Sequence, residues 1–159
     1  MGLPIVGDNL LLQLATTPPL MSDVSARVLE ISLKDFIAGA LSGSLKYPEL
    51  TRPGVSELAN YLALIGSADD LDDVDWDVLT HPGSIIWPVL LAAHSEENQS
   101  LEKLYDAAYF GYRAGRSISR LLGASHRSNW HLTTTSGAVA ATSALARFWN
   151  LAEEEHIAR

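Results

Sequence analysis

Between Leu101 and Gly123, small and apolar residues fall at Leu101, Leu104, Ala108, Gly111, Tyr112, Gly115, Ile118 and Leu122. These are the three- and four-residue steps of a helix with one buried face. No segment of the chain shows the two-residue alternation of a half-buried strand, so a helix of this length has only other helices to pack against. Ser100 stands where its N-cap belongs, and Gly111 and Gly115, four apart, predict a second helix in close contact.

The remaining segments read the same way. Ser22 caps a helix carrying Val24, Val28, Ile31, Phe36, Ile37, Ala40 and Leu41, which ends near residues 42–44. Two prolines interrupt residues 45–54, and a second helix is expected from Ser56 to about Ile65. Residues 83–94, Gly-Ser-Ile-Ile-Trp-Pro-Val-Leu-Leu-Ala-Ala-His, are apolar on nearly every side and predict a buried central helix. Its Pro88 lies close to the helix start, where a missing amide matters less. A polar loop is expected over 124–137 and a last helix over 138–159. The fold class is therefore all-α with about five helices. Residues 1–21 form an N-terminal extension whose Thr-Thr-Pro-Pro-Leu-Met stretch (16–21) is an extended connector. Residues 22–159 form one helical domain, matching a 159-residue chain with 47% apolar and 19% charged side chains.

A net charge of −8 with scattered basic residues excludes a nucleic-acid surface. The chain has no cysteine, which removes disulfides, thiol catalysis and cysteine-ligated zinc. Its longest apolar runs, 9–15 and 84–93, are shorter than the roughly 20 residues that span a bilayer, so no membrane partner is expected. A cytoplasmic location is the default expectation. The apolar surface of Ile85–Leu91 requires cover, so association with itself or another chain is expected.

Chemistry concentrates in two places. Residues 69–77 hold six aspartates, followed closely by His81-Pro82-Gly83. Three readings stay open for this run: a solvated turn before a helix, a Mg²⁺ site in which Asp69-Asp70-Leu71-Asp72-Asp73 supplies hard oxygen ligands, and an aspartate–histidine pair that holds and delivers a proton. The second place is residues 125–137, with His126, and with His131, Thr133, Thr135 and Gly137 in the pattern H-x-T-x-T-x-G. Its hydroxyls and the free amides of the helix that follows offer a seat for a substrate carboxylate. The plain alternative is a helix start whose threonines satisfy the backbone.

In order along the chain, Asp-Asp-Leu-Asp-Asp, Thr-His-Pro-Gly-Ser, Gly-Tyr…Ala-Gly-Arg…Leu-Gly and Trp-His-Leu-Thr-Thr-Thr-Ser-Gly-Ala resemble the N-terminal helical region of the MmgE/PrpD family. That family includes 2-methylcitrate dehydratase, cis-aconitate decarboxylase and iminodisuccinate epimerase. Residues 33–44, Leu-Lys-Asp-Phe-Ile-Ala-Gly-Ala-Leu-Ser-Gly-Ser, resemble its first helix, and the likeness covers about residues 24–152. The resemblance implies homodimeric, cofactor-free and metal-independent acid/base chemistry on a small carboxylated substrate. By motif it assigns catalytic roles to Asp70, His81 and His131, with Asp70 orienting a histidine. Thr133, Thr135, His126 and Asp73 become candidates for holding the substrate.

The likeness also has departures. Val74 stands where a threonine often follows the family's acidic motif, and the approach to His81 is slightly longer. Neither the family's α/β lid nor the lysine of its next motif lies within these residues. The expectation is thus a dehydratase- or decarboxylase-type lyase, or an isomerase or cyclase, working with a second polypeptide that supplies the rest of the pocket or as a homodimer. A non-catalytic helical dimerisation module and a small Mg²⁺-dependent helical enzyme are the alternatives.

Overall fold

Two serines start the two longest helices. Ser22 Oγ accepts the amide of Ser25 at 3.2 Å and opens α1 (Asp23–Ser44). Ser100 Oγ accepts that of Lys103 at 3.2 Å and opens α4 (Leu101–Arg127). Each hydroxyl satisfies one of the amides that a first turn leaves unpaired. Between them lie α2 (Val55–Ser67) and α3 (Gly83–Glu97), and α5 (Leu132–Phe148) follows. These elements come from a computed structural model that describes residues 22–47, 54–97 and 99–151. The extension 1–21, most of the proline-bounded connector and the tail of the expected last helix lie outside the described residues.

The fold is all-α, as expected. Among the described residues the only extended pairing is a single bridge between Asp75 and Thr80. Helix α3 sits at the centre, touching the other four helices, and Ile86, Trp87 and Leu90 are completely buried on it. Each such side chain contributes about 1.5–3 kcal/mol by leaving water. The cover expected from another chain for Ile85–Leu91 is thus provided largely within this one, by α2, α4 and α5. Pro88 leaves the carbonyl of Ser84 without its helical amide, one turn from the helix start.

Helices α4 and α5 form the closest pair. A β-carbon at Gly111 would lie 2.9 Å from that of Ala144, and one at Gly115 would lie 2.9 Å from that of Ala140. The two glycines therefore let the backbones approach as their spacing predicts. Gly123, the expected end of α4, is instead a kink with φ 65°, beyond which a further turn runs to Arg127.

The start of α5 differs from expectation by six residues. Thr133 and Thr135 lie inside its first turns, not in a loop before it. Their side chains fit because hydroxyls on a helix bond back to the preceding turn: Thr135 Oγ1 reaches the carbonyl of His131 at 3.4 Å, and Ser136 Oγ that of Leu132 at 2.7 Å.

Candidate functional site

The acidic run leaves α2 and wraps across the N-terminal end of α3, and its members face in different directions. Asp69 turns back to α1, accepting from Ser42 Oγ at 2.6 Å and pairing with Lys46. Asp70 is exposed, with φ 55°. Asp72 and Asp73 point inward to separate partners. Asp75 and Asp77 belong to a short turn held to α4, where Arg116 Nη2 meets Asp77 at 2.7 Å, Arg116 Nε lies 3.3 Å from Asp75, and Arg120 also pairs with Asp77. Both arginines donate to Asp77, holding its carboxyl below the usual range, while Asp77 in turn raises Arg116. Among the described residues no three acidic or imidazole groups converge as a metal site would need.

Asp73 is the anchor of the region. Its Oδ1 accepts the amide of Gly83 at 2.7 Å, and its Oδ2 accepts from Ser32 at 3.0 Å and from the Tyr112 hydroxyl at 2.6 Å. Trp87 Nε1 donates to Ser32 Oγ at 3.0 Å, so one polar network ties α1, α3 and α4 together inside the core. A β-carbon at Gly83 would stand 2.6 Å from Asp73 Oδ1, so the contact needs glycine there. Burial, reinforced by the Asp73 charge, pushes the Tyr112 hydroxyl well above its ordinary range and keeps it a donor. Asp73, expected among the substrate-holding groups, thus has its oxygens engaged by the protein itself.

His81 lies just before α3. Its Nδ1 is 3.4 Å from Asp72 Oδ2, with the carboxylate side chain only 6% exposed and the imidazole 31% exposed. That separation exceeds a formed hydrogen bond, and Nδ1 is buried without another partner. An imidazole whose Nδ1–H faces a carboxylate keeps Nε2 as its free nitrogen. Asp72 is thus the aspartate that faces His81 among the described residues, and Asp70 lies exposed two residues before it.

The backbone of His81 is fixed from the other motif. Its amide donates to Thr133 Oγ1 at 3.0 Å, and Thr133 is buried in the first turn of α5. Thr133 thus joins the two histidine-bearing segments. His131 occupies the N-cap position of α5, exposed and without a side-chain cap bond. His126 Nε2 lies 2.9 Å from Thr135 Oγ1, pairing two of the expected substrate-holding groups with each other. Thr80, Pro82, Tyr112, Arg116, Thr133 and Ser136 contribute to the lining of a crevice of about 10 Å³, room for a single water, behind this junction. His94 also has a buried, unpartnered Nδ1, but it lies near the other end of α3, about 20 Å along the axis.

Ser32 escaped the motif reading, while Asp72 and Tyr112 lie inside the quoted motifs without the roles the structure gives them. Ser32 and Tyr112 sit among apolar helix positions, where periodicity suggests packing alone. Asp72 could have been found by asking which aspartate can reach back to His81.

Fold and site together define an all-α domain in which a buried carboxylate backs a histidine at the mouth of the central helix. A family model of the MmgE/PrpD N-terminal domain matches residues 57–158, which span α2 to α5. The chain belongs to the MmgE/PrpD family. No curated protein matches it.

Proposed function

We propose that this chain is the helical half of an MmgE/PrpD-type enzyme that moves protons next to a carboxylate of a small substrate. A second polypeptide, or a second copy, completes the pocket. The single observation that supports this reading most is His81: Nδ1 backed by the buried Asp72, backbone tied to the His131 segment through Thr133. In this reading His81 carries the proton on Nε2, and Asp72 holds the imidazole in the required tautomer. His131, exposed at the start of α5, serves as the second proton carrier or as a carboxylate contact, beside the free amides of that helix. Asp70 forms the open rim, and the His126–Thr135 pair lies along the same segment. No step calls on a metal or an organic cofactor.

Abstraction of a proton next to a carboxylate leaves an enolate-like anion. Expulsion of a neighbouring hydroxyl, protonated as it leaves as water, gives the dehydratase outcome, return of a proton on the other face gives epimerisation, and attack of the anion on an electrophilic carbon of the same substrate gives cyclisation; a decarboxylase starts instead from loss of carbon dioxide, which leaves the same kind of anion for a histidine to protonate.

The test begins with the chain purified together with whatever polypeptide accompanies it, incubated in D₂O with 2-methylcitrate and, separately, cis-aconitate. Proton NMR reads deuterium entering the carbon next to a carboxylate, or consumption of the probe. His81→Asn should slow the reaction by about 10²-fold or more, the usual scale of acid/base catalysis. Full activity in His81→Asn would overturn the assignment, whereas inhibition by EDTA would favour a Mg²⁺ enzyme. An assembled complex that stays inert with these probes and with iminodisuccinate would favour a non-catalytic module.

A further inference from the structure

The groove between α1 and α4, the depression beside Trp76 and the crevice behind Thr133 share one property. Each is lined by Asp75, and the first two by Asp73 as well. A further depression, of about 400 Å³, lies at the turn between α4 and α5, and its lining includes Leu79, Arg127, Asn129, Trp130 and His131. No acidic residue of the described chain lines it. In a chain of net charge −8, a concave surface that gathers a guanidinium and an imidazole without a carboxylate favours an anion.

Three side chains define the kind of anion. Arg127 is exposed and makes no ion pair among the described residues, so its planar fork of donors is open to a carboxylate. Trp130 is 67% exposed and Leu79 45% exposed on the same walls, an apolar area that a bare charged group leaves uncovered. Leu79 has φ 56°, in the left-handed region that favours glycine. The turn holds it there: its amide donates to the carbonyl of Asp75 at 2.7 Å, and the amide of Asp75 donates to the carbonyl of Thr80 at 2.9 Å. A leucine kept in that conformation with much of its side chain outside the core points to a task at the surface. Leu79 stands two residues before His81, and His131 itself lines the depression.

We infer that this depression binds a carboxylate of the substrate on Arg127 and His131, and an apolar arm of the same molecule between Leu79 and Trp130. The inference rests on the proton-transfer reading of His81 and His131 and narrows its substrate to a carboxylate that carries a hydrocarbon branch. Size agrees, since pockets for small ligands begin at about 300 Å³. The two parts of the site have separate tasks: Arg127 selects for charge, and the Leu79 and Trp130 walls select for what is attached to it.

The four tryptophans of the chain, at 76, 87, 130 and 149, make the test direct. Incorporated as 5-fluorotryptophan they give separate ¹⁹F signals, of which Trp130→Phe identifies one and Trp76→Phe another. The full chain, with whatever polypeptide accompanies it, is titrated with hexanoate, acetate and hexanamide. Hexanoate should move the Trp130 signal along a saturating curve and leave Trp76, on the aspartate-lined surface, unmoved. It should bind about tenfold or more tighter than acetate, the factor that burial of roughly two methylenes supplies. It should exceed hexanamide by about tenfold, as a charge-assisted hydrogen bond provides. Arg127→Gln should lower hexanoate to the level of hexanamide. Leu79→Gly, which relieves the backbone, should lower hexanoate toward acetate and leave acetate as it is.

Three results would overturn the inference: equal binding of acetate and hexanoate, unchanged hexanoate binding in Arg127→Gln, or Trp76 and Trp130 signals that move together without saturating. Binding is read without turnover, so the two readings fail separately. Saturable binding at Trp130 in an assembly that exchanges no deuterium leaves a carboxylate site without the proposed chemistry. Deuterium exchange that depends on His81, with a Trp130 signal that stays still, removes this inference alone.

Discussion

Asp72 and Asp73 are adjacent in sequence and opposite in task. Asp73 has both oxygens engaged, by Gly83, Ser32 and Tyr112, and holds three helices in register. Asp72, its side chain 6% exposed, faces among the described residues only an imidazole whose Nδ1 has no hydrogen bond. A carboxylate with its acceptor sites filled contributes stability and has nothing left to offer a substrate. One with a single titratable neighbour contributes little to the fold and governs that neighbour's proton. The lesson is that composition marks a region as acidic, while donor count separates an aspartate whose oxygens the fold has filled from one that still has an acceptor to offer.

The sharpest way to break this contrast is Asp73→Ala. Removing the acceptor strands the Gly83 amide and takes from Ser32 and Tyr112 the carboxylate they share, a loss of about 3 kcal/mol or more. For a domain of this size that lowers Tm by roughly 6–12 °C in thermal unfolding. A shift below about 2 °C, on the same conversion, would mean that Asp73 is no more structural than its neighbour.

Tyr112→Phe sharpens the same side with a smaller effect, about 1–2 kcal/mol, because Ser32 and Gly83 still hold the carboxylate. It also carries a pH signature. The Tyr112 hydroxyl is raised in the folded chain by burial and by Asp73, so its contribution is intact below the unfolded tyrosine value of about 10 and is lost as pH rises through the folded one. Urea unfolding between pH 9 and pH 11 (about one unit either side of that value) should show the wild type losing stability relative to Tyr112→Phe as pH increases.

How far the sequence reveals these roles depends on whether a periodicity governs them. Helix α4 and the Gly111–Gly115 contact follow from helical spacing, which finds them, and α3 from a run that is apolar on nearly every side. Helix α1 is harder, since residues 24, 28 and 31 make as good a stripe as 29, 33, 36 and 40, and only the surrounding fold selects the second for burial. Histidine and threonines at 131–135 look like loop composition, yet hydroxyls that bond to the preceding turn lie comfortably in a helix. The family motif locates the acidic region and both histidines. It does not say which aspartate faces His81, because an irregular turn with a left-handed residue has no period to read.

Asp72→Asn tests the other side of the comparison. Stability should change by no more than about 1 kcal/mol, since a single long contact is replaced by an amide of the same shape. Exchange catalysed by the assembled enzyme should fall about 10²-fold, because an amide no longer fixes which imidazole nitrogen holds the proton. Long-range ¹H–¹⁵N NMR of His81 should show the Nδ1–H form in the wild type and a mixture in the variant. An unchanged tautomer would return Asp72 to the same structural class as Asp73.

Asp77 gives the smallest effect and completes the contrast, since it is an aspartate engaged at the surface instead of in the core. Hydrogen bonds from Arg120 and Arg116 lower its carboxyl in the folded state. A depressed folded value means that the contribution is present above the unfolded value of about 4 and disappears as pH falls through the folded one. The wild type should therefore lose Tm faster than Asp77→Asn as pH drops below about 4. Because the group is exposed, the difference should largely vanish in 1 M salt, where the screening length is only about 3 Å. If the difference instead survives high salt, the turn from Asp75 to Thr80 is held by buried contacts, and its arginine clasp stands closer to the Asp73 network than to a solvated ion pair.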